Sequence, residues 1–301
     1  MRIAAIVVTF NRLDTLRRCL AALQAQQPMI PDILVVDNHS TDGTGAYLAP
    51  MAAAGQLHYL DTGANLGGAG GFHAGMKWAV EAGYTHLWLM DDDCIPRSDA
   101  LAALTAAHGQ LGGEYGFLSG MAYWRDGSLC RMNGQKRTLT ARLERPDKPL
   151  EPVIMATFVS VWIPADRVRE LGLPLKEFFI WADDLEYTRR LSRRYPCYAV
   201  TDCRVLHDMT HNAGVNIATD TPQRLPRYRY LYRNEVYLYR REGWRGRGYL
   251  AARILYHCLR VLGSRASDKS GRIRVILHSV REGRHFHPVV EYPPPPREPS
   301  D

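Results

Sequence analysis

The sequence of 301 residues has few of the features that mark disulfide-rich, zinc-ribbon or membrane-spanning proteins. Its six cysteines include no Cys-x-x-Cys pair, which argues against a zinc ribbon or a disulfide framework and suits a reducing compartment. No apolar run approaches the ~18 residues that a membrane span needs. The first apolar run ends at Thr9, too early for a signal sequence, so residues 3–8 are predicted to form a buried first strand.

Two common nucleotide-binding motifs are also missing. There is no Gly-Lys-Ser/Thr, which excludes a P-loop. The glycine-rich stretch at residues 65–72 fails the Gly-x-Gly-x-x-Gly spacing, because His73 stands where the last glycine belongs, and it follows the wrong strand. A dehydrogenase is therefore disfavoured. We still expect this stretch to be a loop that opens a helix, where backbone N–H groups can approach a phosphate or a sugar.

Acidic residues are scarce in one part of the chain. Residues 224–287 hold 16 Lys/Arg against 4 Asp/Glu, a net charge of +12, whereas the whole sequence has +7. A basic segment indicates an anionic partner. Within it, residues 249–262 are mostly apolar, with Arg253, His257 and Arg260 in a narrow polar stripe. This helix is predicted to lie on an anionic membrane surface or, alternatively, to pack on the rest of the chain or on a second copy.

Short apolar runs alternate with helical patterns through the first half of the chain. Strands are predicted at residues 3–8, 32–36, 57–60 and 86–90, and leucines at positions 13, 16, 20 and 23 repeat with helical spacing. This alternation predicts an α/β fold with a mostly parallel sheet. A second block has apolar runs at residues 117–122, 153–163 and 198–201, helices near residues 165–171 and 183–194, and a polar loop or hairpin at residues 125–150.

Each predicted strand of the first half ends in polar residues, at positions 9–12, 37–43, 61–65 and 91–93. Ligands of open α/β sheets bind beyond the carboxyl ends of the strands, so these clusters predict one crevice; ordinary polar loops are the alternative. Asp91 and Asp93 alternate on an extended chain and could share one hard divalent ion that neutralises a diphosphate. A solvated acidic turn would explain them equally well.

A second carboxylate cluster lies in an apolar, aromatic stretch at residues 178–187. Such surroundings raise the pKa of a carboxylate and suit a general base, which makes Asp183 and Asp184 candidates. Alternatively, Asp183 is a helix N-cap with Glu186 three residues on, and Asp184 faces the cleft. His207 follows an apolar strand end, a suitable place for a metal ligand, although a lone histidine is more often structural.

These segments together resemble glycosyltransferase family 2, and within it the galactofuranosyltransferases. The resemblance covers about residues 3–235, and related rhamnosyltransferases share many of its signatures. It is carried, in this order, by residues 7–12, 35–38, 65–72, 90–93, 162–164 and 181–187, His207, and the pair Arg233-Asn234. The implied fold is the α/β GT-A fold, a Rossmann-like, mostly parallel sheet with flanking helices, here with a C-terminal helical extension.

The resemblance implies an inverting, metal-dependent transferase that moves a sugar, such as galactofuranose from UDP-galactofuranose, to a cell-surface glycan or lipid-linked acceptor. A rhamnosyltransferase using dTDP-rhamnose is the alternative. Asp184 would be the catalytic base, and Asp91, Asp93 and His207 would hold Mn²⁺ or Mg²⁺. The residues implied for the donor are Thr9, Arg12, Asp37, Asn65, Gly67, Gly68, Gly70, Phe72, Asp91 and Asp92. Those implied for the acceptor are Phe158, Trp181 and Asp183. The galactofuranan polymerases that the chain resembles carry an aromatic pair just before the segment matching residues 162–164. Here residues 158–160 are Phe-Val-Ser, so one aromatic is missing and a different acceptor is expected.

Two other classes of protein agree less well with the sequence. A sugar-phosphate nucleotidyltransferase needs a basic, glycine-rich signature after the first strand, which residues 9–14 lack. A non-catalytic sugar- or membrane-binding module has no use for the carboxylate clusters, and a nucleic-acid partner would not explain them either. We therefore predict a catalytic domain at residues 1–222 with a nucleotide-binding half (1–115) and an acceptor half (116–222), a basic helical region at 223–287 and a disordered Pro-rich tail at 288–301. The expected location is the cytoplasm, with peripheral contact at the inner face of the cell membrane as an option.

Overall fold

The computed structural model describes residues 1–212 and 214–294, and these residues form one nine-stranded sheet with helices on both faces. The strands are β1 Ile3–Thr9, β2 Asp32–Asp37, β3 His58–Asp61, β4 His86–Asp91, β5 Cys94–Pro96, β6 Leu118–Tyr123, β7 Leu150–Pro152, β8 Val161–Pro164 and β9 Tyr198–His207. Their order in the sheet is β3-β2-β1-β4-β8-β6-β9-β5, and β7 pairs with β9.

The first four strands form the parallel sheet that the sequence predicts. Strand β1 pairs in parallel with β2 and β4, and β2 pairs in parallel with β3. Beyond β4 the sheet is mixed, because β8 runs antiparallel to both β4 and β6. Every residue of β1 is buried, as expected for a strand covered on both faces.

The helices are α1 Leu13–Gln24, α2 Thr44–Ala53, α3 Gly67–Glu81, α4 Ala100–Gln110, α5 Ala165–Leu171, α6 Asp183–Ser192, α7 Tyr228–Arg240, α8 Gly243–Gly263 and α9 Lys269–Arg284. One core packs α1, α2 and α4 on one face of the sheet, and a second core packs α3, α5 and α6 on the other. The predicted α/β fold with flanking helices and a C-terminal helical extension is confirmed.

The glycine-rich stretch forms the first turns of α3 rather than a loop, which corrects the prediction. A Cβ on Gly71 would lie 2.5 Å from Val8 Cγ1, and one on Gly75 would lie 2.6 Å from Ile6 Cγ2. These glycines therefore let α3 lie directly against β1. Two other predicted boundaries differ: the apolar run at residues 153–163 is a strand only in β8, and β9 extends to His207.

The three C-terminal helices pack against one another, and α7 also packs against α6. Helix α7 is the central one, with ten of its thirteen residues buried between α6, α8 and α9. Three leucines of α8, Leu255, Leu259 and Leu262, stay more than half exposed. Among the described residues no helix combines the length and apolar character needed to cross a membrane.

Residues 288–294 are ordered, in contrast to the disordered tail predicted from residue 288 onward. The Glu291 carboxylate accepts hydrogen bonds from Lys77 Nζ at 2.7 Å and from Lys176 Nζ at 3.0 Å. The Glu291 carbonyl accepts one from the Leu173 backbone N–H at 2.8 Å. The prediction rested on the proline run, which does not reveal that Glu291 has two lysine partners. The rest of the predicted tail, residues 295–301, lies outside the described residues.

Candidate active site

A cavity of about 720 Å³ opens at the carboxyl ends of β1 and β4, and it brings together most of the residues singled out in the sequence. The predicted site residues that line it are Thr9, Arg12, Asn65, Gly67, Gly68, Phe72, Asp91, Asp92, Asp93, Phe158, Trp181, Asp183, Asp184 and His207. These residues come from both halves of the sheet and from the start of α6. The four polar clusters therefore do not lie in unrelated loops.

Two predicted donor-binding residues, Asp37 and Gly70, lie off the cavity lining. Asp37 is buried, and its Oδ1 accepts hydrogen bonds from the Ser40 backbone N–H at 2.9 Å and from Ser40 Oγ at 2.5 Å. Its Oδ2 accepts one from Tyr59 Oη at 3.2 Å. Asp37 therefore shapes the loop after β2, and Gly70 lies inside α3, where a Cβ would meet Leu66 Cβ at 2.5 Å.

The three consecutive aspartates are held by Thr9 and Arg12 from the end of β1. Thr9 Oγ1 donates to Asp92 Oδ2 at 2.8 Å. Arg12 Nη1 lies 3.3 Å from Asp92 Oδ1, and Arg12 Nη2 donates to Asp93 Oδ2 at 2.8 Å. Burial raises the pKa of Asp92 to about 7 despite the Arg12 charge. Arg12 thus offsets part of the repulsion within the acidic turn that joins β4 to β5.

His207 lies against this turn because β5 pairs antiparallel with β9, which sets Cys94 opposite His207. His207 Nε2 is 3.0 Å from Asp93 Oδ1, and His207 Nδ1 is 2.9 Å from Asn133 Oδ1. Asn133 Nδ2 donates to Thr157 Oγ1 at 3.2 Å, so the Asn133 oxygen faces the imidazole. His207 Nδ1 therefore donates to Asn133, and although burial lowers the pKa of His207, the hydrogen bond and the charge of Asp93 raise it above its usual value.

A cation fits between His207 and Asp93. Asp93 Oδ1 is buried beside His207 Nε2, and although burial raises the pKa of Asp93, the hydrogen bond and the charge of His207 lower it to about 2. Asp93, Cys94 and His207 can direct ligand atoms to one point, with all three atoms within 4.8 Å of one another. Burial raises the pKa of the Cys94 thiol well above its usual value, which disfavours the thiolate.

Asp91 lines the cavity beside this pair, at the end of β4. Burial and the charge of Asp93 raise the pKa of Asp91 well above its usual value. A divalent ion is the partner that would let both carboxylates ionise, and Mn²⁺ and Mg²⁺ prefer carboxylate oxygen and imidazole to a neutral thiol. Asp91, Asp93 and His207 could therefore hold such an ion.

The loop before α6 is strained. Phe179, Trp181 and Ala182 have φ of 63°, 66° and 65°, a left-handed conformation that costs ~1–3 kcal/mol for each non-glycine residue. Such a conformation persists only where neighbouring groups hold it. Its effect is to present Asp183 and Asp184 to the cavity in the first turn of α6.

Asn234 of α7 holds this loop. Its side-chain amide is fully buried and donates to three loop carbonyls, those of Phe178 at 3.0 Å, Ile180 at 3.3 Å and Trp181 at 2.9 Å. Arg233 Nε donates to Asn234 Oδ1 at 3.1 Å, which sets the orientation of the amide. The sequence motif Arg233-Asn234 thereby acquires a structural role: it positions the loop that carries the two aspartates.

Asp183 and Asp184 differ in environment. The N-cap of α6 is Ala182, without a side-chain capping bond, so the predicted capping role of Asp183 is wrong. Glu186 pairs with Arg190 at 2.5 Å instead of completing a capping box. Burial raises the pKa of Asp184 to about 6, and burial together with the Asp184 charge raises that of Asp183 well above its usual value. The two buried carboxyl groups are coupled, so they titrate as a pair, and repulsion disfavours the doubly ionised form.

A third group of cavity residues was not predicted from the sequence. These residues come from the segment predicted as a polar loop or hairpin and from the C-terminal helices. Lys136 and Arg142 come from that segment. Glu235 and Tyr239 come from α7, and α8 contributes the stripe of Arg253, His257 and Arg260 together with Tyr249 and Tyr256. Of the alternatives considered for this helix, packing on the rest of the chain is the one that the structure shows. Only the helical spacing of the stripe hinted at a shared face.

A mixed sheet flanked by helices, with an acidic turn at a strand end inside a cleft, is the architecture of the GT-A fold. A solved structure with this fold is the mannosyltransferase PcManGT from Pyrobaculum calidifontis in complex with GDP-Man and Mn²⁺. It has a TM-score of 0.58 and 13% sequence identity, over 96% of this chain and 76% of that chain.

The family model for glycosyl transferase family 2 matches residues 4–155, and this chain belongs to that family. It is similar to galactofuranosyltransferase GlfT1 from Mycobacterium tuberculosis, with 32% identity over 215 residues, 67% of this chain and 69% of the relative. It is also similar to GlfT1 from Mycolicibacterium smegmatis, with 28% identity over 267 residues, 81% of this chain and 84% of the relative. The predicted family and the predicted transferase class are confirmed.

Proposed function

We propose that this chain is an inverting, metal-dependent galactofuranosyltransferase that uses UDP-galactofuranose and a cell-surface glycan or lipid-linked acceptor. The observation that carries the proposal is the buried pair of Asp93 Oδ1 and His207 Nε2, 3.0 Å apart, in the same cavity as Asp184. The donor sugar is supported by the similarity to two galactofuranosyltransferases. The alternative donor is dTDP-rhamnose.

The donor is proposed to lie at the strand-end side of the cavity. Asp93 and His207, with Asp91, would hold Mn²⁺ or Mg²⁺, which when bound stabilises negative charge on the donor diphosphate. Thr9, Arg12 and the start of α3 line the same side and would contact the nucleotide or the sugar. For Arg12 this means exchanging part of its pairing with Asp92 for the donor, which its half-exposed side chain allows.

Asp184 is proposed as the base that takes the proton from the acceptor hydroxyl. Its pKa of about 6 leaves it ionised at neutral pH, yet close enough to the working pH for efficient proton transfer. Burial and the Asp184 charge raise the pKa of Asp183 well above its usual value, so a second negative charge on the pair is disfavoured. Attack by the hydroxyl from the face opposite the nucleotide needs one such carboxylate and leads to inversion at the anomeric carbon.

Peripheral contact with an anionic membrane is a further part of the proposal. Leu255, Leu259 and Leu262 recur at helical spacing on the exposed part of α8, within the segment of net charge +12. Exposed leucines next to basic residues suit the boundary between headgroups and acyl chains. We expect co-sedimentation with vesicles containing phosphatidylglycerol, weakening with salt. Equal binding to neutral vesicles would contradict an electrostatic contact.

The donor assignment is tested with a panel of nucleotide sugars and the purified full chain. Hydrolysis of UDP-galactofuranose, UDP-galactopyranose, UDP-glucose and dTDP-rhamnose is compared with Mn²⁺, with Mg²⁺ and after treatment with a chelator. We expect UDP-galactofuranose to be cleaved fastest, and only with a divalent ion. A preference for dTDP-rhamnose would make the chain a rhamnosyltransferase, and full activity in excess chelator would contradict metal dependence.

A further inference from the structure

The ring nitrogen of His207 that does not face Asp93 contacts Asn133, which comes from the segment between β6 and β7. Asn133 Oδ1 is 2.9 Å from His207 Nδ1, and His207 Nε2 is 3.0 Å from Asp93 Oδ1. Asn133 is 9% exposed, and its Nδ2 donates to Thr157 Oγ1 at 3.2 Å. Both ends of the Asn133 amide therefore have partners within the protein, and the oxygen end is directed at the imidazole.

An amide oxygen can only accept a hydrogen bond, and this property determines which nitrogen of His207 is available to a metal ion. His207 Nδ1 must carry a proton to bond with Asn133 Oδ1, so Nε2 is the nitrogen left for a ligand bond. The hydrogen bond at Nδ1 is the same whether Nε2 carries a proton or an ion. Asn133 can therefore hold the ring in one orientation in both states.

Strand β9 fixes the backbone of His207 but not the rotation of its ring. The torsion between Cβ and the imidazole is broad and roughly two-fold, so the strand alone permits a half-turn of the ring. Such a half-turn would place carbon atoms where Nδ1 and Nε2 now lie. The hydrogen bond to Asn133 favours the rotamer that directs Nε2 towards Asp93.

The segment that carries Asn133 is attached to the sheet on both sides of this residue. Before it, the Cys130 backbone N–H donates to the Ala122 carbonyl of β6 at 2.9 Å. After it, Nε2 of the buried Gln135 donates to the Gly120 carbonyl of the same strand at 2.7 Å. A ligand is held precisely only when the residues behind it are themselves fixed, so Asn133 is well placed to orient an imidazole.

We propose that Asn133 is a positioning residue of the metal site, which holds His207 Nε2 towards the ion and thereby increases the affinity for Mn²⁺ or Mg²⁺. The inference rests on the proposed function, because it takes Asp91, Asp93 and His207 as the metal ligands. Metal-binding histidines usually donate their second N–H to a carboxylate, a carbonyl or water, and these partners strengthen the ligand. Asn133 acts through the imidazole and does not itself contact the ion.

The test measures the Kd of the full chain for Mn²⁺, by calorimetry and by the EPR signal of the free ion. Asn133→Leu keeps a similar volume and removes the acceptor, so the Kd should rise about 10–100-fold. Asn133→Asp keeps an oxygen acceptor, and the Thr157 hydroxyl can donate to its second oxygen, so most of the native affinity should be retained. A loss in Asn133→Asp as large as that in Asn133→Leu would overturn the proposal.

A double-mutant cycle shows whether Asn133 acts through His207. His207→Ala removes one ligand and should weaken Mn²⁺ binding by itself. Adding Asn133→Leu to His207→Ala should weaken it little further, because the ring that Asn133 orients is no longer present. If the two losses are additive, Asn133 acts by another route and the proposal fails.

Asn212→Leu is the matched control. Asn212 Oδ1 accepts a hydrogen bond from the Arg131 backbone N–H at 2.8 Å, so Asn212 holds the same segment from another point. This variant should bind Mn²⁺ as the native chain does, and thermal unfolding shows whether each variant is folded. An equal rise of the Kd in Asn212→Leu would overturn the proposal, since loosening the segment would then be sufficient.

The outcomes also separate this inference from the proposed function. Tight Mn²⁺ binding by the native chain with an unchanged Kd in Asn133→Leu would overturn the role of Asn133 alone. Absence of Mn²⁺ binding by the native chain would contradict the metal dependence in the proposed function as well.

Discussion

The two ends of the cavity differ in charge and are built in different ways. At the strand ends, three consecutive carboxylates follow β4, and Arg12 pairs with two of them. Around Lys136, the charged side chains that act on it, Arg142, Arg253, Glu235 and Asp184, come from distant parts of the chain. The strand-end cluster is local in sequence and acidic, whereas the lining around Lys136 is assembled by tertiary packing and is mixed in charge.

Removing the proposed base is expected to have the largest effect and distinguishes the functions of the two ends of the cavity. Asp184→Asn keeps the volume of the side chain and removes the proton acceptor, so transfer should fall by ~10²–10⁴ in rate. Donor affinity should change little, because Asp184 lies on the acceptor side. Single-turnover transfer and donor binding are the two measurements.

The neighbouring substitution is the control for that experiment. Asp183→Asn replaces the carboxyl group whose pKa burial and the Asp184 charge raise well above its usual value, so its effect on transfer should be much smaller. A dead Asp183 variant beside an active Asp184 variant would show that the roles of the two carboxylates are reversed. Near-normal transfer by both would remove general-base catalysis from this loop.

The metal ligands test the other end. Asp93→Ala should abolish tight Mn²⁺ binding, so the free-ion EPR signal, which the native chain should diminish, should persist, and calorimetry should show no binding. Donor cleavage should fall by roughly 10² or more, given the several kcal/mol that a metal contributes to charge stabilisation. Lys136→Met should leave Mn²⁺ binding intact. Unchanged Mn²⁺ affinity in the Asp93 variant would place the ion elsewhere.

The pH dependence of transfer and of thermal unfolding gives a smaller effect, which concerns only the end of the cavity near Asp184. Because the pKa of Asp184 is about 6, transfer should fall about tenfold for each pH unit below that value. Because the pKa of Asp184 is higher in the folded chain than in the unfolded chain, protonation of Asp184 favours folding. The free energy of unfolding should therefore decrease as the pH rises from the pKa of the unfolded chain to about 6. Asp184→Asn should therefore unfold at a higher temperature than the native chain at pH 8, with the difference shrinking toward pH 4. Equal melting temperatures at pH 8 would contradict the raised pKa.

The contact between the two ends is tested by a glycine pair. Gly67 has a φ of +70°, and a Cβ there would overlap the carbonyl oxygen of Phe179, whereas a Cβ on Gly68 meets nothing within 4 Å. Gly67→Ala should cost ~1–3 kcal/mol of stability and disturb the loop that carries Asp184. Gly68→Ala should leave the free energy of unfolding within about 0.5 kcal/mol. Chemical denaturation measures the free energy of unfolding of both variants. Equal values would mean that the close contact between α3 and Phe179 does not require a glycine at position 67.

The donor side could be predicted because its residues are local in sequence. Thr9, Arg12 and residues 91–93 directly follow strands with clear apolar patterns, and parallel strands bring such ends together. The basic lining around Lys136 could not be predicted from the sequence. Lys136 and its hydrogen-bond partner Tyr239 are 103 residues apart, and a single lysine in a polar segment does not indicate a binding site. The capping interpretation of Asp183 failed for a related reason. It assumed that the helix begins after Asp183, whereas the left-handed Ala182 begins it one residue earlier.

The hydrogen bonds of Glu291 matter for anyone who shortens this protein. The proline run invites truncation at residue 287, which would remove the carboxylate that joins Lys77 of α3 to Lys176, just before the strained loop. A stop after residue 294 keeps the hydrogen bonds of Glu291 with Lys77 and Lys176 and removes only residues 295–301. Between two such truncations, the longer one is the sound choice for crystallisation and assays, since it keeps the buried face of α3 anchored to the segment that leads to Asp184.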